Sequence, residues 1–254
     1  MAQTDTPQRG RSRGVYLLPN LFTTSALFAG FYSIIASYNG DYRPAAIAII
    51  AAMVLDGFDG RVARMTGTST AFGAEYDSMA DMISSGMAPA FLAYTFALSS
   101  LPPVEYGQLG WVAAFVYTAC CGLRLARFNV AVGTADKRFF QGLACPSAAA
   151  VNASLVWVAV DMGIEGSELV VLMLLVTVGT GLLMVSTFTY YSFKDLGTSR
   201  KVPFAMATGI LLLFVVTAVD PAKMILIASS LYALSGPVYA AFRRFRKRNR
   251  LGVR

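Results

Sequence analysis

The sequence predicts an all-α protein, a polytopic membrane helix bundle of about eight transmembrane helices with both termini in the cytoplasm. Three observations lead there. Of 254 residues, 56% are hydrophobic and only 14% are charged, where a soluble domain carries about 25% charged residues. Apolar stretches recur along the chain, each close to the ~20 residues that a spanning helix needs. Basic residues gather in alternate connections, as the positive-inside rule requires. A soluble domain and a disordered chain are both excluded.

The elements follow in order. Residues 1–16 form a polar, basic tail, and no apolar stretch with a small-residue cleavage site opens the chain, so no removable signal peptide is expected. Spans are expected near 17–38, 44–65, 75–99, 108–128, 143–162, 168–191, 203–219 and 222–242. The seventh is the shortest, and Asp220-Pro221 breaks it from the eighth. A six- or seven-span chain is the alternative, but eight accounts best for the charges. Arg9, Arg11, Arg13, Arg61, Arg64, Arg124, Arg127, Lys137, Arg138, Lys194, Arg200, Lys201 and seven residues from Arg243 to Arg254 then lie on the cytoplasmic side. That is 19 of the 21 basic residues, with only Arg43 and Lys223 outside. Residues 17–242 are expected to form one membrane-embedded domain, without internal repeat, and 243–254 a second basic tail. That tail interleaves arginines with Phe242 and Phe245, but beside a spanning helix its expected partner is anionic membrane lipid and not nucleic acid.

The segment 56–81, DGFDGRVARMTGTSTAFGAEYDSMAD, holds the chemistry. Asp56 and Asp59 fall in the cytoplasmic half of span 2, Asp77 and Asp81 in the first turns of span 3. An ionisable group in a spanning helix costs at least ~2.5–3.5 kcal/mol, so four of them demand compensation. The i, i+3 and i, i+4 spacings put each pair on one helix face. At 1.5 Å per residue, Asp56 stands about 13 Å from Met65 and Asp81 about 10 Å from Ala74. An antiparallel helix pair would bring all four towards one small volume.

Arg61 and Arg64 are too few to neutralise four carboxylates. The sequence has no histidine and three cysteines; Cys120, Cys121 and Cys145 lack metal-ligand spacing and read as small apolar packing residues. An all-oxygen site suits Mg²⁺, Mn²⁺ or Ca²⁺. Two divalent ions would balance four carboxylates, and paired metals suit phosphoryl chemistry. Gly57, Gly60, Ala63 and Gly73 leave helix faces bare for close packing or a phosphate ligand, Gly57 being read as packing only. A cation-coupled transporter is the reading from another class, but it would place its carboxylates near the midplane on broken helices of related repeats. These sit on one hairpin towards the cytoplasm.

From Asp59 to Asp81 the string reads D-G-x-x-A-R-x8-G-x3-D-x3-D, with Asp56 three residues earlier. It resembles, without a mismatch, the signature of the CDP-alcohol phosphatidyltransferases. The resemblance implies an integral membrane enzyme that moves a phosphatidyl group from a CDP-activated lipid to an alcohol and releases CMP. It implies that Asp56, Asp59, Asp77 and Asp81 hold two divalent cations, Mg²⁺ or Mn²⁺, with Asp81 also the general base. LLPNLFT at 17–23, RLARFNV at 124–130, KRFFQGL at 137–143 and YYSFK at 190–194 are similar to the serine-accepting branch of that family. CDP-diacylglycerol and L-serine are then the expected substrates, a homodimer the expected assembly, and the cytoplasmic (inner) membrane the expected location, its site facing the cytoplasm. Glycerol 3-phosphate, inositol phosphate and choline are the acceptors of sister enzymes. Two departures from the branch are Ala144-Cys145 ahead of Pro146, and Ser84-Ser85-Gly86 in span 3.

Asn20, Gly60, Ala63, Arg64, Thr66 and Gly73 are the expected contacts of the CDP-lipid, although Asn20 would serve equally as a helix N-cap and Thr66 as a loop residue. The serine carboxylate calls for a guanidinium. Arg124, Arg127, Asn129, Lys137, Arg138 and Lys194 are candidates for the acceptor or phosphate, with Arg127 favoured. Each basic residue among them would also serve as a positive-inside anchor.

Overall fold

A computed structural model gives the structure of the protein and describes residues 17–66, 70–101, 107–131, 139–191 and 219–251. Helix α1, Leu17–Tyr38, turns into α2, Tyr42–Thr66, at Gly40. Gly40 takes φ +83°, and the amides of Gly40 and Asp41 cap the Ser37 and Ala36 carbonyls at 3.2 and 2.9 Å. A left-handed residue just past the last turn is how a glycine closes a helix. The two helices pack along their length.

Next comes one rod in three parts. Helix α3, Ala71–Asp81, passes through a π-helical segment, Met82–Met87, into α4, Ala88–Phe96. Thr70 caps its start, its Oγ1 accepting from the Gly73 amide at 2.9 Å. Helices α5, Gly107–Ala131, α6, Cys145–Asp161, and α7, Val170–Val185, come next, and α8 runs Pro221–Leu251.

Helix α6 is the axis of the bundle, packed against α2, α4, α7 and α8. Ala148, Ala149, Ala150, Ala153, Ser154 and Ala159 on it are buried; small side chains let neighbouring backbones approach closely, which is how helices gain contact in a membrane. Trp157, Phe96, Leu92 and Ile49 fill the space left around them. Among the described residues Trp157 Nε1 meets no acceptor, but Asn152 and its hydroxyl neighbours are paired. Asn152 Nδ2 donates to the Ala148 carbonyl at 2.9 Å and to Thr180 Oγ1 at 3.0 Å, and Thr177 Oγ1 donates to Asn152 Oδ1 at 2.9 Å.

The all-helical expectation holds. Among the described residues four helices are long and apolar enough to cross a membrane: Asn20–Tyr38, Gln108–Val130, Gly166–Val185 and Pro221–Phe242. The expected span at 203–219 lies outside the described residues except for Val219. The expected span 168–191 is too long. Its helix stops at Val185, because Ser186 turns extended at ψ 163°, and the chain goes on as a strand.

That strand, β2 at Thr189–Tyr191, pairs antiparallel with β1, Phe139–Gln141, in the register Phe139↔Tyr191, Phe140↔Tyr190 and Gln141↔Thr189. Three-residue strands are too short to show a period, but aromatic and β-branched residues suit them. Gly142, at φ +80°, turns β1 into α6 so tightly that any Cβ would strike the Met184 carbonyl. Tyr190 ties the ribbon to α8. Pro237 has no N–H for the Ala233 carbonyl four residues earlier, and the Tyr190 hydroxyl donates to that oxygen at 3.0 Å. Gly236 makes room, since a Cβ there would collide with the Tyr190 ring.

Candidate active site

Chain direction puts the start of α1, the end of α2, the start of α3, the end of α5, the start of α6 and the ribbon at one end of the bundle. The opposite end is marked by the Arg43–Asp161 ion pair at 3.1 Å, between the start of α2 and the end of α6. Asp56 is half-buried on α2, and Asp77 and Asp81 are half-buried on α3. One Asp77 carboxylate oxygen is fully enclosed. Asp59, Gly60, Ala63, Arg64 and Thr66 lie on the last turns of α2, their side chains outside the described residues. Among the described residues no three carboxylate or thiol groups stand close enough to hold a metal ion together. The expected gathering of all four aspartates includes Asp59, whose side chain lies outside the described residues.

The donor chemistry still fits a hard divalent cation. Every candidate ligand is a carboxylate, and the three cysteines are buried on α5 and α6 as packing residues. Oxygen donors of this kind suit Mg²⁺ or Mn²⁺.

Polar side chains hold α3 in place. The Tyr76 hydroxyl and Thr24 Oγ1 share a hydrogen bond of 2.9 Å, joining α3 to α1. Asn129 Nδ2 donates to Ser78 Oγ at 3.0 Å, joining α3 to α5 one residue past Asp77. Asn20 lies inside α1 and caps nothing; its Oδ1 would stand 3.8 Å from a Cβ on Gly73. The bare Gly73 instead eases the Thr70 cap, whose Oγ1 would stand only 3.1 Å from that Cβ. Gly57 is different. A Cβ there meets nothing within 4 Å among the described residues, so the packing role expected of Gly57 has no neighbour to serve.

The last turns of α5 carry the acceptor candidates. Arg124 points inward, with its Nη1 3.7 Å from Cys145 Sγ at the start of α6. Its Nε is buried and donates no hydrogen bond among the described residues. Arg124 and Asp81 both lie within electrostatic range of the Cys121 thiol, so the guanidinium and the α3 carboxylate approach one region from two helices. Arg127 is exposed, and its Nη2 donates to Gln141 Oε1 on β1. Lys137, Arg138 and Lys194 lie outside the described residues.

Sequence reasoning missed Thr24, Tyr76, Ser78 and Gln141. Gln141 stood inside the stretch KRFFQGL, but no local spacing pairs it with Arg127, fourteen residues away.

Residues 16–179 match the model of the CDP-alcohol phosphatidyltransferase family. The chain is 33% identical over 222 residues to the CDP-diacylglycerol–serine O-phosphatidyltransferase of Helicobacter pylori (strain ATCC 700392 / 26695), covering 87% of this chain and 90% of that one. It is 34% identical over 188 residues to the enzyme of the same name from Mycobacterium leprae, covering 72% of this chain and 61% of that one. It is 33% identical over 184 residues to the archaetidylserine synthase of Methanothermobacter thermautotrophicus, covering 72% of each. With the signature of 59–81 laid across α2 and α3 inside the matched region, the chain belongs to the CDP-alcohol phosphatidyltransferase family.

Proposed function

We propose that the protein transfers the phosphatidyl group of CDP-diacylglycerol to the hydroxyl of L-serine, giving phosphatidylserine and CMP. The observation that carries this reading is the uninterrupted signature Asp59-Gly60-Ala63-Arg64-Gly73-Asp77-Asp81 in a chain 33% identical, over 87% of its length, to a serine-specific relative. Asp56, Asp59, Asp77 and Asp81 would hold two Mg²⁺ or Mn²⁺ ions. Bound there, the ions supply charge neutralisation for the pyrophosphate and for the departing CMP.

The chain's own residues do the rest. Asn20, Gly60, Ala63, Arg64, Thr66 and Gly73 receive the nucleotide end of the donor. Asp81 takes the proton of the serine hydroxyl as its oxygen attacks the lipid-side phosphorus. The bond from that phosphorus to the CMP oxygen breaks, and a new phosphate ester forms. Arg127 receives the serine carboxylate in its fork. Arg124 sits inward beside the phosphates, and Asn129 fixes α3 through Ser78. Lys137, Arg138 and Lys194 are the further cations proposed for the acceptor or the phosphate.

We place the enzyme in the cytoplasmic membrane, with eight spans, both termini in the cytoplasm and the site end facing it. The strand β2 ends at the site end, whereas α8 starts at the other, with Lys223 within electrostatic range of Asp161. An odd number of crossings between them agrees with a span at 203–219. A homodimer is the assembly proposed.

The test supplies purified protein with CDP-diacylglycerol and, in separate reactions, serine, glycerol 3-phosphate, inositol phosphate or choline, and measures CMP release. Release with serine alone is the expected result. Release with another acceptor reassigns the protein to a sister transferase, and no release with any would favour a transporter.

A further inference from the structure

Gln141 is a residue that the proposed reaction does not use and whose backbone the fold ties down. Its backbone is paired with Thr189 across the ribbon. The next two amides are also tied down, Gly142 N–H to the Phe188 carbonyl at 2.9 Å and Leu143 N–H to the Leu183 carbonyl at 3.0 Å. Tyr190, the neighbour of Thr189, is locked to α8 through the Ala233 carbonyl. A side chain on such a platform has little freedom left in its backbone.

That side chain spends its Oε1 on Arg127 Nη2. The choice of partner matters. A carboxylate at this point would neutralise the guanidinium and occupy both prongs of its fork. A neutral amide oxygen takes one N–H, orients the plane and leaves the positive charge intact. Arginine on an exposed helix end otherwise loses considerable rotamer freedom when it engages a ligand. A guanidinium already held by a fixed neutral acceptor has lost part of that freedom beforehand, and preorganisation of this kind raises affinity.

We propose that Gln141 is a positioning residue for the acceptor: it holds the Arg127 guanidinium, which has no acidic partner among the described residues, aimed for a carboxylate of the incoming alcohol. This rests on the assignment of Arg127 to the serine carboxylate. It adds that selection for a carboxylate-bearing acceptor depends on a residue of the ribbon that itself touches no substrate.

The experiment compares Gln141→Glu, Gln141→Ala and Arg127→Lys in the full-length protein, and adds Gln141→Glu in the Arg127→Lys background. Serine and CDP-diacylglycerol are varied separately, and CMP release is read. The expected result is that Gln141→Glu raises KM for serine about tenfold, the loss expected when a charge-assisted contact is taken away. Gln141→Ala raises it less, and KM for CDP-diacylglycerol stays within about twofold, showing a folded donor site. In the Arg127→Lys background Gln141→Glu adds nothing further, since both changes act on one contact. If Arg127→Lys raises KM for serine but Gln141→Glu does not, the positioning role is overturned and the Arg127 assignment stands. If Gln141→Glu acts with undiminished size in the Arg127→Lys background, Gln141 meets the acceptor itself and positioning is again overturned. Silence of Arg127→Lys alone removes the assignment of Arg127, and the inference with it.

Discussion

Helix α6 meets its neighbours through alanines and one closed set of amide and hydroxyl bonds, whereas α3 meets α1 and α5 through Tyr76, Ser78 and their distant partners. In the first region every polar atom of Asn152 is answered by α6 itself or by α7. In the second, aspartates stay half-buried between helices whose contacts lie to either side of them. The middle of the bundle is joined by apolar packing and a few amide and hydroxyl bonds, and the other region by polar bonds between helices that carry carboxylates. Stability and activity should therefore respond to different substitutions.

The largest effect is expected at the site end. Asp81→Asn keeps side-chain volume but removes the proposed base, so turnover should fall by about 10²–10⁴-fold, the usual contribution of a general base. Thermal stability and binding of CDP-diacylglycerol should change far less. Steady-state kinetics beside a melting curve checks this, and a collapse of donor binding with the rate of bound substrate spared would make Asp81 a ligand and not a base.

In the core the pattern inverts. Leu92 is wholly buried on α4 against the α6 alanines, and Leu92→Ala should cost about 2–5 kcal/mol through lost contact and cavity. Detergent-phase unfolding would measure it. KM for either substrate should stay near the parent value, and a selective rise in one of them would erase the contrast between the two regions.

Tyr190→Phe lies between them. It removes the hydroxyl that answers the Ala233 carbonyl, a loss of about 1 kcal/mol for one hydrogen bond. Hydrogen exchange should rise around 189–191 and 233 and stay unchanged around 148–156. Uniform exchange throughout would mean that the ribbon does not depend on this tie.

How much of this the sequence disclosed divides along the same line. The aspartates were readable because helix geometry turns i, i+3 and i, i+4 spacing into a shared face, and the spans because a membrane needs long apolar runs. Apart from the helix that stops at Val185 and the stretch 203–219, which lies outside the described residues, the expected apolar runs fell close to helices. Arg127–Gln141, Ser78–Asn129, Thr24–Tyr76 and Tyr190–Ala233 were hidden, since each joins residues that only the packing of separate elements brings together. The ribbon was hidden for another reason: three residues per strand give alternation nothing to repeat.

The smallest effect is expected furthest from the site, at the opposite end. The hydrogen bond from Lys223, and then its charge, holds the Asp220 carboxyl below its ordinary value. A depressed carboxylate adds stability above its unfolded pKa, and that stability is lost as pH falls through the lower folded value. Asp220→Asn should accordingly flatten the acid limb of a melting-temperature profile below about pH 4, the ordinary aspartate range, and leave the neutral region alone. The ion pair is exposed, so the change should be slight.

The π segment Met82–Met87 gives the rod from Ala71 to Phe96 a property that a plain helix lacks. The Ala88 amide bonds the Ile83 carbonyl five residues back, and each residue of such slip swings the downstream helix by about 100°. The rod is thus a crankshaft with two throws. One throw seats Tyr76 and Ser78 against α1 and α5, and the other sets Leu92, Ala93 and Phe96 into the alanine core. Because the offset is built into the backbone, the polar face at one end and the core face at the other keep a fixed angle, and seating either one aims the other.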